Sequence, residues 1–124
     1  TPDGYKPDGD VLEFTKAYGD KFALESDPFM AAAGADIVIT DTWTSMGEEA
    51  EKEERKKIFK DYQINKQLLA AANADAMVQH CLPAYRGQEI TEEVFEEHAD
   101  EIFNEAENRL HAQKAVMVKL MKKD

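Results

Sequence analysis

Apolar positions along this chain follow two rhythms. Val11, Phe14 and Tyr18 fall at i, i+3 and i+7, one face of a helix that Gly19 is placed to close. Before them, "PDGYKPDGD" has the Pro and Gly spacing of a turn or linker. "KFALES" (21–26) reads as a short strand. Asp27-Pro28 reads as an N-cap followed by Pro at the first helical position, with Gly34 as the stop. "ADIVIT" (35–40) is a continuous apolar run with β-branched residues, as expected of a strand buried on both faces.

A loop over 41–47 leads into "EEAEKEERKKIFK", whose Glu48–Lys52, Glu51–Arg55 and Glu53–Lys57 spacings favour a helix. A short helix is expected from about Ile64 to Ala72, and a second buried strand over "AMVQHC" (76–81). After the loop "LPAYRGQEI", Thr91 is placed to cap the helix "EEVFEEHA". A last helix is expected from about Glu105 to Lys122, with Leu110, Met117, Val118 and Met121 on one stripe. Helices alternating with about three short strands predict an α/β fold with a parallel sheet. Ligands in such sheets bind outside the carboxyl ends of the strands, so the 41–47 and 80–83 segments are placed as site loops.

Composition narrows the picture. The 124 residues suit one domain, and a 43% hydrophobic share supplies a core. Fifteen basic against 26 acidic residues give a net charge of −11, which argues against nucleic acid or an anionic membrane surface as partner. The single cysteine precludes an internal disulfide and fits a reducing, cytoplasmic setting. No apolar run approaches the roughly 20 residues that span a bilayer. The opening residues carry no signal pattern and read as an internal loop of a longer chain.

Several chemistries find no support. His80 and Cys81 are neighbours that would point to opposite faces unless the strand has already ended. Ser45 lacks a nucleophile elbow. The three His and one Cys match no standard metal spacing, and no Gly-rich phosphate loop is present. A zwitterionic ligand fits better: Asp41 could pair with an ammonium, and main-chain N–H groups of Ser45, Met46 and Gly47 could receive a carboxylate at a helix start. The same residues also fit a plain turn and N-cap, and spacing alone leaves the two readings level.

"DTWTSMG" (41–47), "HCLPAYRG" (80–87) and "EAENRLHAQKAVM" (105–117) together resemble the second, ornithine-binding domain of ornithine carbamoyltransferases. The similarity runs over nearly the whole chain. Aspartate carbamoyltransferases share that fold but are not expected to carry the S-M-G and H-C-L-P loops. The resemblance implies an incomplete Rossmann-like three-layer parallel sheet with flanking helices and a long C-terminal helix. Residues 1–124 would be part of the ornithine domain, lacking its first strand–helix unit and the carbamoyl-phosphate domain with its S-T-R-T motif.

It further implies that Asp41 binds the amino-acid end of ornithine and that Ser45 and Met46 belong to a loop closing over it. Cys81 would lie near the reacting δ-amine, the Leu82 carbonyl would hold the carbamoyl group, and Arg109 would reach its oxygen. The catalytic set is then Cys81, Arg109 and Asp41, with His80 and Pro83 setting loop shape. The implied reaction transfers a carbamoyl group from carbamoyl phosphate to ornithine, giving citrulline and phosphate, without metal or cofactor. A homo-oligomer, trimeric for the full-length family enzyme, is implied as well.

The chain alone is expected to be inactive, because the dianionic substrate would find too few cations: Arg109, with Arg86 as a second candidate. The competing readings are a non-catalytic α/β interaction module and a carbamoyltransferase for another amine such as putrescine. An apolar sheet edge should be exposed if the chain folds alone.

Overall fold

The computed structural model describes residues 1–44 and 49–122. Helix α1 (Gly9–Thr15) continues into a 3₁₀ segment, Lys16–Lys21, interrupted by Gly19 at φ 55° and ψ −123°, a conformation that favours glycine. Residues 21–26 form no strand. Phe22 is extended, but the Glu25 carbonyl accepts a bond from the Thr1 ammonium at 2.7 Å instead of a ladder bond. An extended segment becomes a strand only where a neighbour supplies ladder partners. The sheet therefore has two strands among the described residues, not about three.

Helix α2 (Pro28–Ala32) begins as its sequence dictates. The Asp27 carboxylate accepts the Phe29 and Met30 N–H groups at 2.8 and 3.4 Å, and Pro28 opens the first turn. Gly34, at φ +68°, ends it, and the chain enters strand β1 (Ile37–Thr40). A 3₁₀ turn, Glu49–Glu51, precedes helix α3 (Lys52–Ile58). Arg55 Nε meets Glu51 at 3.0 Å, whereas Glu53 pairs with Lys56 at 2.9 Å and not with the expected Lys57. The Glu48–Lys52 spacing falls outside the described residues.

Helix α4 (Lys66–Leu69) is capped by Asn65, and strand β2 (Met77–His80) follows. Thr91 caps helix α5 (Glu92–Glu97), its hydroxyl accepting the Val94 N–H at 3.4 Å. Helix α6 (Ala99–Met121) starts six residues before the expected Glu105. Its N-cap position is His98, which makes no capping bond, so the usual boundary mark is missing.

The strands are parallel, with Val38 beside Val78 and Thr40 beside His80. One sheet face, with Val78 and His80, packs into a core of Ala32, Ile64, Leu68, Ile90, Val94, Phe95 and Ile102. The other face, with Ile37, Ile39 and Met77, is open to solvent. The expectation of strands buried on both faces is thus corrected: the described helices cover one side. Helix α6 is tied to β2 by its first turns, where Ile102 is buried and Glu101 Oε2 accepts the Val78 N–H at 2.8 Å. Beyond Leu110 its apolar stripe is exposed. No described helix is long and apolar enough to cross a membrane.

Candidate functional site at the strand tips

The sheet register places the site. Because Thr40 lies beside His80 in a parallel pair, the residues that leave the two strands, Asp41 and Cys81, emerge side by side at the carboxyl ends. Carboxylate, imidazole and thiol ligand atoms of Asp41, His80 and Cys81 all lie within 4.8 Å of one another. Strand β2 ends at His80, so the rule that neighbours point apart no longer applies at Cys81.

The 41–44 segment is held from several sides. Asp41 Oδ1 accepts the Thr42 N–H at 2.7 Å, and the Trp43 carbonyl accepts from Arg55 Nη1 at 3.3 Å. Trp43 stacks on Phe59 with ring centres 6.1 Å apart, and Phe59 meets Tyr5 edge-on at 4.8 Å. Asp41 and Thr42 border an open cleft of about 580 Å³, lined also by Tyr5, Lys6, Trp43 and Arg55. Asp41 itself is exposed, so its carboxylate is free to meet a cation from solvent.

The second loop is fixed from inside. His80 and Glu89 are both fully buried, with Nε2 3.1 Å from Glu89 Oε1. The Leu82 N–H donates to His80 Nδ1 at 2.9 Å. A nitrogen that accepts carries no proton, so the imidazole is neutral and donates through Nε2. Both ring nitrogens are therefore engaged. His80 cannot act as a base for Cys81, and an ion bound among Asp41, His80 and Cys81 would have to break one of these bonds. Glu89 Oε2 is buried without a hydrogen-bond partner among the described residues, an arrangement that costs about 1–3 kcal/mol for a typical group. Leu82 stands at φ +58°, a left-handed conformation costing a residue with a Cβ roughly 1–2 kcal/mol.

Helix α6 closes the third side. Arg109, an exposed residue, donates from Nη1 to the Cys81 carbonyl at 2.7 Å. Arg86, the other cation proposed for an anionic substrate, is occupied elsewhere. It pairs with Glu96 at 2.6 Å and stacks over the Phe95 ring at 4.2 Å. Ser45 and Met46 lie outside the described residues, and Leu82 and Pro83 sit in the turn just described.

Burial pushes the Cys81 thiol above its ordinary value of 9.0; a hydrogen bond to Asp41 and that carboxylate's charge push it the same way, against the pull of Arg109. The thiol therefore stays protonated at neutral pH. Alkylation of Cys81 by iodoacetamide is expected to rise with pH through a midpoint above 9.0. Asp41→Asn should move the midpoint down. A wild-type midpoint well below that value would contradict the geometry. Glu89 and Glu101 escaped sequence reasoning, since each reads locally as a solvated acid and only tertiary contacts bury or engage it.

Residues 1–120 match the family model described as aspartate/ornithine carbamoyltransferase, Asp/Orn binding domain. An ornithine carbamoyltransferase of Nitratiruptor sp. is 55% identical over 99% of this chain and 41% of its own length. The Pyrococcus horikoshii ornithine carbamoyltransferase is 48% identical over 98% of this chain and 40% of its own. The crystal structure of anabolic ornithine carbamoyltransferase from Campylobacter jejuni superimposes with a TM-score of 0.91 at 47% identity, covering 97% of this chain and 41% of that one. The chain thus spans about two fifths of the length of these relatives.

Proposed function

The chain belongs to the aspartate/ornithine carbamoyltransferase family, and from that premise we propose that it supplies the ornithine-binding half of an ornithine carbamoyltransferase site. The observation that carries this reading is the meeting of Asp41, Cys81 and Arg109 at two adjacent strand tips. Asp41 offers a carboxylate to the α-ammonium of ornithine. Ser45 and Met46 serve the amino-acid head as further substrate-binding residues. Cys81 and the Leu82 carbonyl face the δ-amine and the carbamoyl group.

The reaction joins the δ-nitrogen lone pair to the carbamoyl carbon of carbamoyl phosphate. The carbon–oxygen bond to phosphate breaks, the nitrogen loses a proton, and citrulline and phosphate result. An alkyl ammonium has a reference pKa of about 10.4, so the site must favour the neutral amine. A protonated Cys81 helps, because a thiolate beside the δ-nitrogen would hold the ammonium form. Arg109 stabilises negative charge developing on the carbamoyl oxygen.

Carbamoyl phosphate finds its main site on other residues of a complete enzyme, which works as a homo-oligomer in arginine metabolism in the cytoplasm. The exposed stripe of α6 and the open sheet face also suit the competing reading, a non-catalytic docking module. A putrescine acceptor fits less well, since it has no α-amino acid head for Asp41. Calorimetric titration with ornithine, with putrescine as comparator, tests the reading. Binding of ornithine over putrescine is expected, together with no citrulline formation by the 124-residue chain alone. Citrulline made by that chain would refute the division of labour, and equal binding of the two amines would refute the substrate.

A further inference from the structure

Glu89 belongs to none of the three stretches that carry the family resemblance, yet it is fully buried beneath the site loop. Its placement is built with some redundancy. Gly87, at φ +83°, turns the chain, and the Gly87 N–H donates to the Ile90 carbonyl at 2.8 Å. The Glu89 carbonyl accepts the Ile64 N–H at 2.9 Å, and the Thr91 N–H returns to the Ile64 carbonyl at 3.0 Å. These bonds lock the backbone on both sides of Glu89 to the segment that precedes α4.

From that position Glu89 Oε1 accepts two bonds, from His80 Nε2 and from the Tyr85 N–H. His80 passes the constraint on, since its Nδ1 accepts the Leu82 N–H. A line of three groups thus runs from a rigid interior acid to the main chain beside Cys81. It ends at Leu82, which alone among non-glycine described residues has a positive φ. On the solvent side Arg109 holds the Cys81 carbonyl. The Cys81–Leu82 peptide is therefore gripped from beneath by Glu89 through His80 and from above by Arg109.

One Glu89 oxygen has no hydrogen-bond partner among the described residues, while the other accepts from both His80 and the Tyr85 N–H, donors that an apolar side chain would leave without this acceptor. We propose that Glu89 is a positioning residue for the ornithine site, acting through His80: it fixes the imidazole with its proton on Nε2 and so holds the Cys81–Leu82 turn in shape for the substrate. The inference rests on the functional reading above. Glutamine can take over the role, because the Tyr85 N–H would keep its amide oxygen where Oε1 stands.

The test uses the whole chain and three readouts. Nitrogen NMR of the wild-type imidazole should show His80 protonated on Nε2 and bare on Nδ1; the opposite tautomer overturns the proposal. Glu89→Ala should leave His80 with mixed tautomers, speed Cys81 alkylation about tenfold and weaken ornithine binding about tenfold, the loss expected of one good hydrogen bond. Glu89→Gln should stay within about twofold of wild type on all three, as the conservative replacement of an acceptor.

If circular dichroism shows Glu89→Ala unfolded, Glu89→Met, which fills the space without an acceptor, carries the same expectations. An unchanged tautomer and alkylation rate in the folded apolar variant overturns the proposal, as does a Glu89→Gln variant as impaired as Glu89→Ala. Failure of the wild-type chain to bind ornithine would count against the functional reading alone. The tautomer and alkylation readouts would still decide the role of Glu89.

Discussion

Replacing Arg109 by alanine is expected to lower kcat for carbamoyl transfer by about 10²–10³-fold, the usual loss when one donor to a developing oxyanion is removed. The measurement belongs on an assembled enzyme that carries this domain together with its carbamoyl-phosphate site. The effect should fall mainly on kcat and less on the KM for ornithine, since in the proposed function Arg109 meets the carbamoyl oxygen, while its bond to the Cys81 carbonyl steadies the turn beside the ornithine site. Arg109→Lys should recover only part of the rate. A lysine can donate one bond to the Cys81 carbonyl, but it lacks the planar fork that lets one nitrogen anchor while another reaches the substrate. A kcat within about threefold of wild type in the alanine variant would remove Arg109 from transition-state stabilisation.

The second large effect is on binding. Asp41→Ala should weaken ornithine affinity about tenfold in this chain, where Asp41 is open to water and its charge is screened. The loss should reach about a hundredfold once the site is covered, because a hydrogen-bonded charge pair is worth more in a dry environment. Asp41→Asn is the sharper variant. It keeps an oxygen for the Thr42 N–H, and so the turn, while deleting the charge. Calorimetry showing wild-type affinity for Asp41→Asn would mean that the carboxylate orders the loop and does not hold the ammonium. The asparagine variant should also alkylate faster at Cys81, since one of the influences raising the thiol is gone.

Local chemistry made much of this fold legible. Asp27, Pro28 and Gly34 bracket a helix because an acid side chain, a fixed φ and an absent Cβ each act within a few residues. Thr91 is the same case. The Ile-Val-Ile-Thr and Met-Val-Gln-His runs were recognisable as strands from β-branched and apolar content. "KFALES" had comparable local credentials and forms no strand, because pairing needs a neighbour that propensity does not provide. The start of α6 was hidden for the opposite reason. His98 makes no capping bond, and Ala99–Ile102 is helical because Ile102 enters the core and Glu101 ties to β2.

The site divides in the same way. Sequence determined which residue types leave the strand tips, an acid at Asp41 and a thiol at Cys81, whereas Arg109 on α6 reaches them only in the folded chain. Tertiary structure decided their use. Register sets Asp41 beside Cys81, and burial together with the neighbouring Asp41 carboxylate makes that thiol a proton holder. Glu89 looks in sequence like any loop acid, yet becomes the foundation of the turn once Ile64 and Gly87 hold its backbone beneath His80. Caps and propensities are written within a few residues. Desolvation and long-range hydrogen bonds depend on which distant atoms arrive, and only the folded chain supplies those.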